Sequence, residues 1–246
     1  EKAIAMKKEQ GNPPENWFLL ERAALYQNKD FKGLARCLQD LVALYPKGDY
    51  WVQLAAVYSE LGQPKKELSA LETAYDQKLL TRENERINLA QALLGQDVPF
   101  KAAMVIKAGM DEGVIELSAR NLSLLGDAWM LAKEYDKAIE IMGKAAEKSQ
   151  SGKDYYKLAQ IHTERQEWEL ALNNVDKAIK LGGLSAPSQA LILKGLALYN
   201  LNELDHAAAV FADAAEYPEA SAAARQWEDY IDSERKRLEY MASSEL

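Results

Sequence analysis

Few side chains in this sequence could carry out chemistry. The 246 residues include two histidines, His162 and His206, one cysteine, Cys37, and 38 Asp and Glu spread along the chain. General acid–base work needs two such groups within hydrogen-bond reach of one reacting atom, and nucleophilic catalysis needs a thiol or hydroxyl beside a base. The histidines are far apart in sequence, and a lone cysteine makes neither an internal disulfide nor a Cys-based zinc site. Gly182-Gly183 runs on into Leu184-Ser185-Ala186-Pro187, without the lysine and spacing of a phosphate loop. No nucleophile elbow, paired-histidine motif or calcium loop occurs. Carboxylates such as Glu228 and Asp229 read as a solvated helix face. No catalytic residue, metal ligand set or cofactor is expected, and the chain reads as a non-enzyme.

Composition narrows the field further. A hydrophobic content of 48% can build a core, which excludes a disordered chain. The balance of 30 Lys and Arg against 38 Asp and Glu, a net charge of −8, argues against nucleic acid as a partner. Basic residues cluster only at Lys65-Lys66 and Arg235-Lys236-Arg237. No apolar run approaches the roughly 18 residues of a spanning helix, so no transmembrane segment is expected. The sequence opens at Glu1 with no start methionine, signal peptide or lipobox, and reads as a mature or trimmed product.

What positions these side chains is a repeat. A leucine followed by a small residue recurs as Leu54-Ala55, Leu89-Ala90, Leu125-Gly126 and Leu158-Ala159, with weaker copies at Leu20-Glu21 and Lys194-Gly195. The intervals are 34, 35, 36, 33 and 36 residues. Twelve residues beyond the second member stand Gly33, Glu67, Ala102, Ala138, Ala171 and Ala207, and seven further on Asp40, Ala74, Gly109, Ala145, Ala178 and Ala214. Between them a larger apolar residue recurs, as Cys37, Leu71, Ile106, Met142, Val175 and Phe211. Small residues on facing helices let backbones approach while bulky ones fill the space around them, so each copy is expected to be two antiparallel helices. A bulky residue three before the leucine (Trp17, Trp51, Leu122, Tyr155, Leu191) and another four after it (Tyr58, Leu93, Trp129, His162, Leu198) complete the packing, with Arg86 an exception. His162 is therefore expected to be a packing residue, His206 exposed and Cys37 buried. Pro64 and Pro99 suit the first turn of a second helix. No sheet is expected.

This pattern resembles the tetratricopeptide repeat, most closely at Trp51-Val52-Gln53-Leu54-Ala55-Ala56-Val57-Tyr58 and at Leu125-Gly126-Asp127-Ala128-Trp129. The resemblance implies an all-α, right-handed superhelical solenoid of about six repeats over residues 14–218. Residues 1–13 would be the end of an upstream helix and 219–246 a capping helix, with Ala223, Trp227, Tyr230, Ile231, Leu238 and Met241 on its apolar side. It also implies a concave groove lined by first helices and suited to an extended or helical protein segment. Counting two before, two after and five after each leucine, the partner-binding candidates are Phe18, Arg22, Ser59, Gln91, Asp127, Met130, Tyr156, Gln160, Thr163 and Tyr199. Tetratricopeptide domains that grip chaperone C-terminal carboxylates use Lys and Asn on this face; only Arg22 is available here.

Some segments go beyond the general repeat: Glu15-Asn16-Trp17, Tyr45 to Leu54, Pro99-Phe100-Lys101-Ala102-Ala103, Gly113-Val114-Ile115-Glu116 and Asn121 to Trp129. These are similar to the tetratricopeptide component encoded beside some TonB-ExbB-ExbD clusters of gammaproteobacteria. That resemblance implies a periplasmic scaffold of a TonB-type transport system, with TonB, ExbB or ExbD components as partners. A scaffold for outer-membrane or pilus assembly, and a helical regulatory domain of a larger enzyme, are the alternatives, and the alternative compartment is the cytoplasm.

Overall fold

The computed structural model describes residues 6, 7 and 11–244. Over these residues it is helical, with no strand. The expectation that residues 1–13 end an upstream helix falls largely outside the described part; Met6 and Lys7 are helical. The chain divides into two compact units, one ending at Glu116 and the other beginning at Leu117.

The first unit contains three helix pairs: α1 (Glu15–Gln27) with α2 (Phe31–Leu44), α3 (Gly48–Glu60) with α4 (Pro64–Asp76), and α5 (Glu83–Gly95) with α6 (Pro99–Asp111). The second contains α7 (Ala119–Leu131) with α8 (Tyr135–Ser149), α9 (Gly152–Glu164) with α10 (Trp168–Leu181), and α11 (Pro187–Asn200) with α12 (Leu204–Ala215). A thirteenth helix, α13 (Ser221–Ser244), closes it. Pro64 and Pro99 open α4 and α6, where the missing amide hydrogen costs nothing.

All six pairs turn in the same way. The middle residue of each link has a left-handed backbone: Lys29, Gly62, Asp97, Lys133, Gln166 and Asn202, with φ between 55° and 64°. The next amide then donates back to the bulky residue near the end of the first helix, as Gln63 to the Tyr58 carbonyl at 2.8 Å and Glu134 to the Trp129 carbonyl at 2.9 Å. This closes the exposed carbonyls of the helix end. Five of the six residues are not glycine and pay for a conformation that disfavours a Cβ.

The same hydrogen bond corrects the register of the first copy. It runs from Asp30 to Leu25, so Leu25 corresponds to Tyr58 and Trp129, and the residue four before it is Glu21 rather than Leu20. Leu20 is 72% exposed. With the copy shifted by one, Leu34, Leu38 and Leu41 fill the inter-helix sites first assigned to Gly33, Cys37 and Asp40, and all three are buried. Phe18, fully buried, takes the slot of Trp51, and Trp17 turns outward. In the third copy that slot holds Arg86. Its stem lies in the packing, its Nε donates to the Leu80 carbonyl at 3.0 Å, and its Nη1 pairs with Glu112 at 2.6 Å.

Close helix contacts follow from the small residues. A Cβ on Gly195 would lie 2.7 Å from the Phe211 ring, and one on Gly126 would lie 2.7 Å from the Met142 methyl. Polar ties join each repeat to the next within a unit: Lys47 to Glu15 at 2.6 Å, Lys101 to Glu72 at 2.6 Å, Lys157 to Asp127 at 2.6 Å and Ser188 to Glu219 at 3.0 Å. Such nearest-neighbour coupling is how a repeat array is held together.

On α13 the inward side is Ala224, Trp227 and Ile231, continued by Ala220 in the turn before it. Ala223, Leu238 and Met241, expected on that side, are exposed, while Tyr230 is partly exposed but lays its ring against Tyr199 and Trp227. Trp227 stacks parallel on Phe211 of α12, with ring centroids 5.5 Å apart.

Candidate protein-binding faces

Of the groups first considered for chemistry, Cys37 and His162 are held in packing. Cys37 is buried, with Sγ 3.5 Å from the Phe18 carbonyl, and burial pushes its thiol up to about 12, helped by the charges of Glu21 and Asp40. A thiol so protonated is a poor nucleophile. Cys37 should therefore resist a thiol reagent such as DTNB in native buffer and react fully in denaturing urea; rapid labelling of the native chain would contradict its placement. His162 is buried, and its Nδ1 lies 2.7 Å from Glu167 Oε2. His206 is exposed beside Glu203. Among the described residues no three His, Cys, Asp or Glu side chains gather as a metal site, and no helix is long and apolar enough to cross a membrane.

Three carboxylates are held below the ordinary glutamate range: Glu234 by its hydrogen bond from Arg237, and two others by contacts that join different elements. Glu15 accepts hydrogen bonds from Lys47 and Tyr50, and Glu167 from His162 first and then Arg165. A lowered folded-state value means that these contacts stabilise the chain above the unfolded-state value and fade as pH falls through the folded one. Stability should thus be flat in these terms above about pH 5 and drop below about pH 4. Glu167→Gln should flatten part of that acid limb in pH-dependent urea unfolding; an unchanged limb would count against the pairing.

The partner-binding candidates separate into three kinds. Some face solvent: Ser59 and Gln91 are exposed and line one cavity of about 570 Å³ between α3, α4 and α5, with Val52, Ala56, Glu67 and Asn88. Arg22 lines a neighbouring cavity of about 480 Å³ and donates to Gln53 Oε1 at 2.8 Å. Met130 and Gln160 are half-buried.

Others are committed to their own fold. Asp127 accepts from Lys157, which also donates to Ser123 at 3.0 Å, while Ser123 donates to Asp154 at 2.9 Å. Burial raises the Asp127 carboxyl above its ordinary value against the pull of Lys157. Thr163 returns its hydroxyl to the Ala159 carbonyl at 2.9 Å. Tyr156 packs on Ala159, Val175, Ala190 and Leu193, and burial raises its phenol. Tyr199 lies 5.4 Å from both Trp227 and Tyr230, and hydrogen bonding to Tyr230 together with burial pushes it up to about 12. Tyr156 and Tyr199 thus both pack on their own fold: the following helix pair lies against the first, while the second, half-buried, shares with Trp227 and Tyr230 the wall of an open cavity of about 700 Å³.

Phe18 is the third kind. It is fully buried and cannot touch a partner, a direct consequence of the one-residue shift. The same shift reveals what was missed. Tyr26 now falls five residues after the repeat position, matching Ser59, and is 67% exposed at the cavity with Ala23, Leu34, Leu38, Ala56 and Val57.

The sequence matches no protein-family model and no curated protein. Solved structures do match. The C-terminal part of a TPR repeat-containing protein from Cytophaga hutchinsonii aligns with a TM-score of 0.65 and 15% identity, over 89% of this chain and 88% of that one. PilF of Pseudomonas aeruginosa aligns at 0.56 and 15%, over 87% and 96%. YrrB, described as a TPR protein with an unusual peptide-binding site, aligns at 0.54 and 19%, over 67% and 82%.

The chain has the tetratricopeptide-repeat fold. The six equivalent turns and the small-residue contacts are the physical content of that likeness.

Proposed function

We propose that this protein is a non-enzymatic interaction scaffold whose first-helix face holds a segment of a partner protein. The observation that carries the reading is the pair of adjoining cavities in the first unit. They share Ala56, lie between first helices α1, α3 and α5 and second helices α2 and α4, and leave Tyr26, Ser59 and Gln91 on the first helices open to solvent. An open face that combines apolar walls with hydrogen-bonding groups suits an extended or helical peptide.

The finer assignment is an accessory component of a TonB-type transport system, acting in the periplasm on TonB, ExbB or ExbD. It is supported by the resemblance of Glu15 to Trp17, Tyr45 to Leu54 and Asn121 to Trp129 to that component. The test is fluorescence anisotropy with labelled periplasmic segments of TonB, ExbB and ExbD. One of them should bind, and a Tyr26→Ala, Gln91→Ala double variant should weaken it by about tenfold or more. Binding that ignores the double variant would move the site elsewhere. No binding by any of the three, with capture of a pilus or outer-membrane assembly factor instead, would replace the transport assignment with the assembly one.

A further inference from the structure

We infer that the segment held by the first unit carries an apolar side chain next to a lysine or arginine; this rests on the interaction-scaffold reading and adds the chemistry of the partner. The second helix of each pair has one site that packs under the first. It is Leu34 in the first copy and Ala102, Ala138, Ala171 and Ala207 in the last four, all buried. In the second copy the site holds Glu67, half-buried in the wall of the 570 Å³ cavity. Glu60 stands on the same wall. Among the described residues neither carboxylate has an ion pair or a hydrogen bond. Lys66, adjacent in sequence, directs its ammonium to the Tyr58 ring 5.6 Å away.

A half-buried carboxylate without a partner costs stability that alanine would not. A fold tends to break its own local rules at functional positions. The adjoining cavity is the apolar one, with Ala23, Tyr26, Leu34, Leu38 and Val57, and Ala56 is common to both. A side chain of Leu or Met size seated there places the neighbouring residue of the same segment over the Glu60–Glu67 wall. The charge that completes that wall is positive, while the side-chain amides of Asn88 and Gln91, on the same wall, can take backbone groups.

The test uses the whole chain and three fluorescein-labelled synthetic peptides of one Leu/Ala framework. They carry two lysines, two glutamines or two glutamates at the same positions. The lysine peptide should bind about tenfold or more tightly than the other two, and Glu60→Gln with Glu67→Gln should erase that preference. Without peptide, the double variant should keep its helical ellipticity and a melting temperature at or above that of the parent. That second reading separates loss of a contact from loss of the fold. Equal binding of the lysine peptide to parent and variant would overturn the basic-segment inference. If the glutamine peptide binds as tightly as the lysine one and Tyr26→Ala weakens both, the charge preference is overturned and the first-helix face stands. If no peptide and no TonB, ExbB or ExbD segment binds, both readings fall.

Discussion

Trp129→Ala should lower the unfolding free energy by about 3–5 kcal/mol, the range for removing a fully packed large aromatic side chain. The ring is 3% exposed. Its backbone carbonyl accepts the turn hydrogen bond from Glu134, and the Lys137 ammonium lies 4.6 Å above the ring. The loss therefore combines apolar burial, a cavity between α7 and α8, and a cation–π contact. Urea unfolding followed by far-ultraviolet circular dichroism measures it. A change below about 1 kcal/mol, the range of ordinary surface substitutions, would contradict the packing of the fourth repeat.

Phe211→Ala should have an effect of the same size, about 3–5 kcal/mol, by a different route. The ring is fully buried, packs against Leu198, Ala207 and Ile231, stacks on Trp227, and fills the space that Gly195 leaves open. Its removal takes away the platform on which α13 sits, so a large blue-to-red shift of tryptophan emission should accompany the lost stability as Trp227 meets water. Phe211→Leu, which keeps most of the volume, should cost much less. A silent Phe211→Ala, with emission unchanged, would mean that α13 is not seated on the last pair.

The helical class and the paired helices were legible because the code for them is local and redundant. Leucines, alanines and glycines recur at fixed offsets, and Pro64 and Pro99 mark helix starts. The burial of His162 could be read from the same periodicity, whereas Cys37 is buried one position away from the slot the pattern gave it, which Leu38 fills. The first copy was misread because Leu20 imitates the repeat leucine, whereas the true site holds Glu21. Only the turn geometry separates the two, and the turns carry no sequence flag, since five of their six left-handed residues are Lys, Asp, Gln or Asn.

The face was less legible than the fold. Positions two before and five after the repeat leucine are open where nothing follows closely. They are partly covered where the next element lies against them, as Leu193 does on Tyr156 and Trp227 on Tyr199. Asp127 looked like a free recognition group but is paired with Lys157, a residue one repeat away that no local pattern links to it. Glu67 was visible as a departure from the small-residue site. Its meaning required the cavity beside it and the lack of an ion pair to it among the described residues.

The most direct measurement places a photocrosslinking amino acid at Gln91, on the first-helix face, and in a second variant at Met104, exposed on α6. Both variants are irradiated in living cells of the native host. A specific adduct to one partner protein from position 91, lost when Tyr26 is replaced by alanine and not formed from position 104, is the result expected of a scaffold that holds its partner on the first-helix face. Adducts from position 104 alone would contradict it.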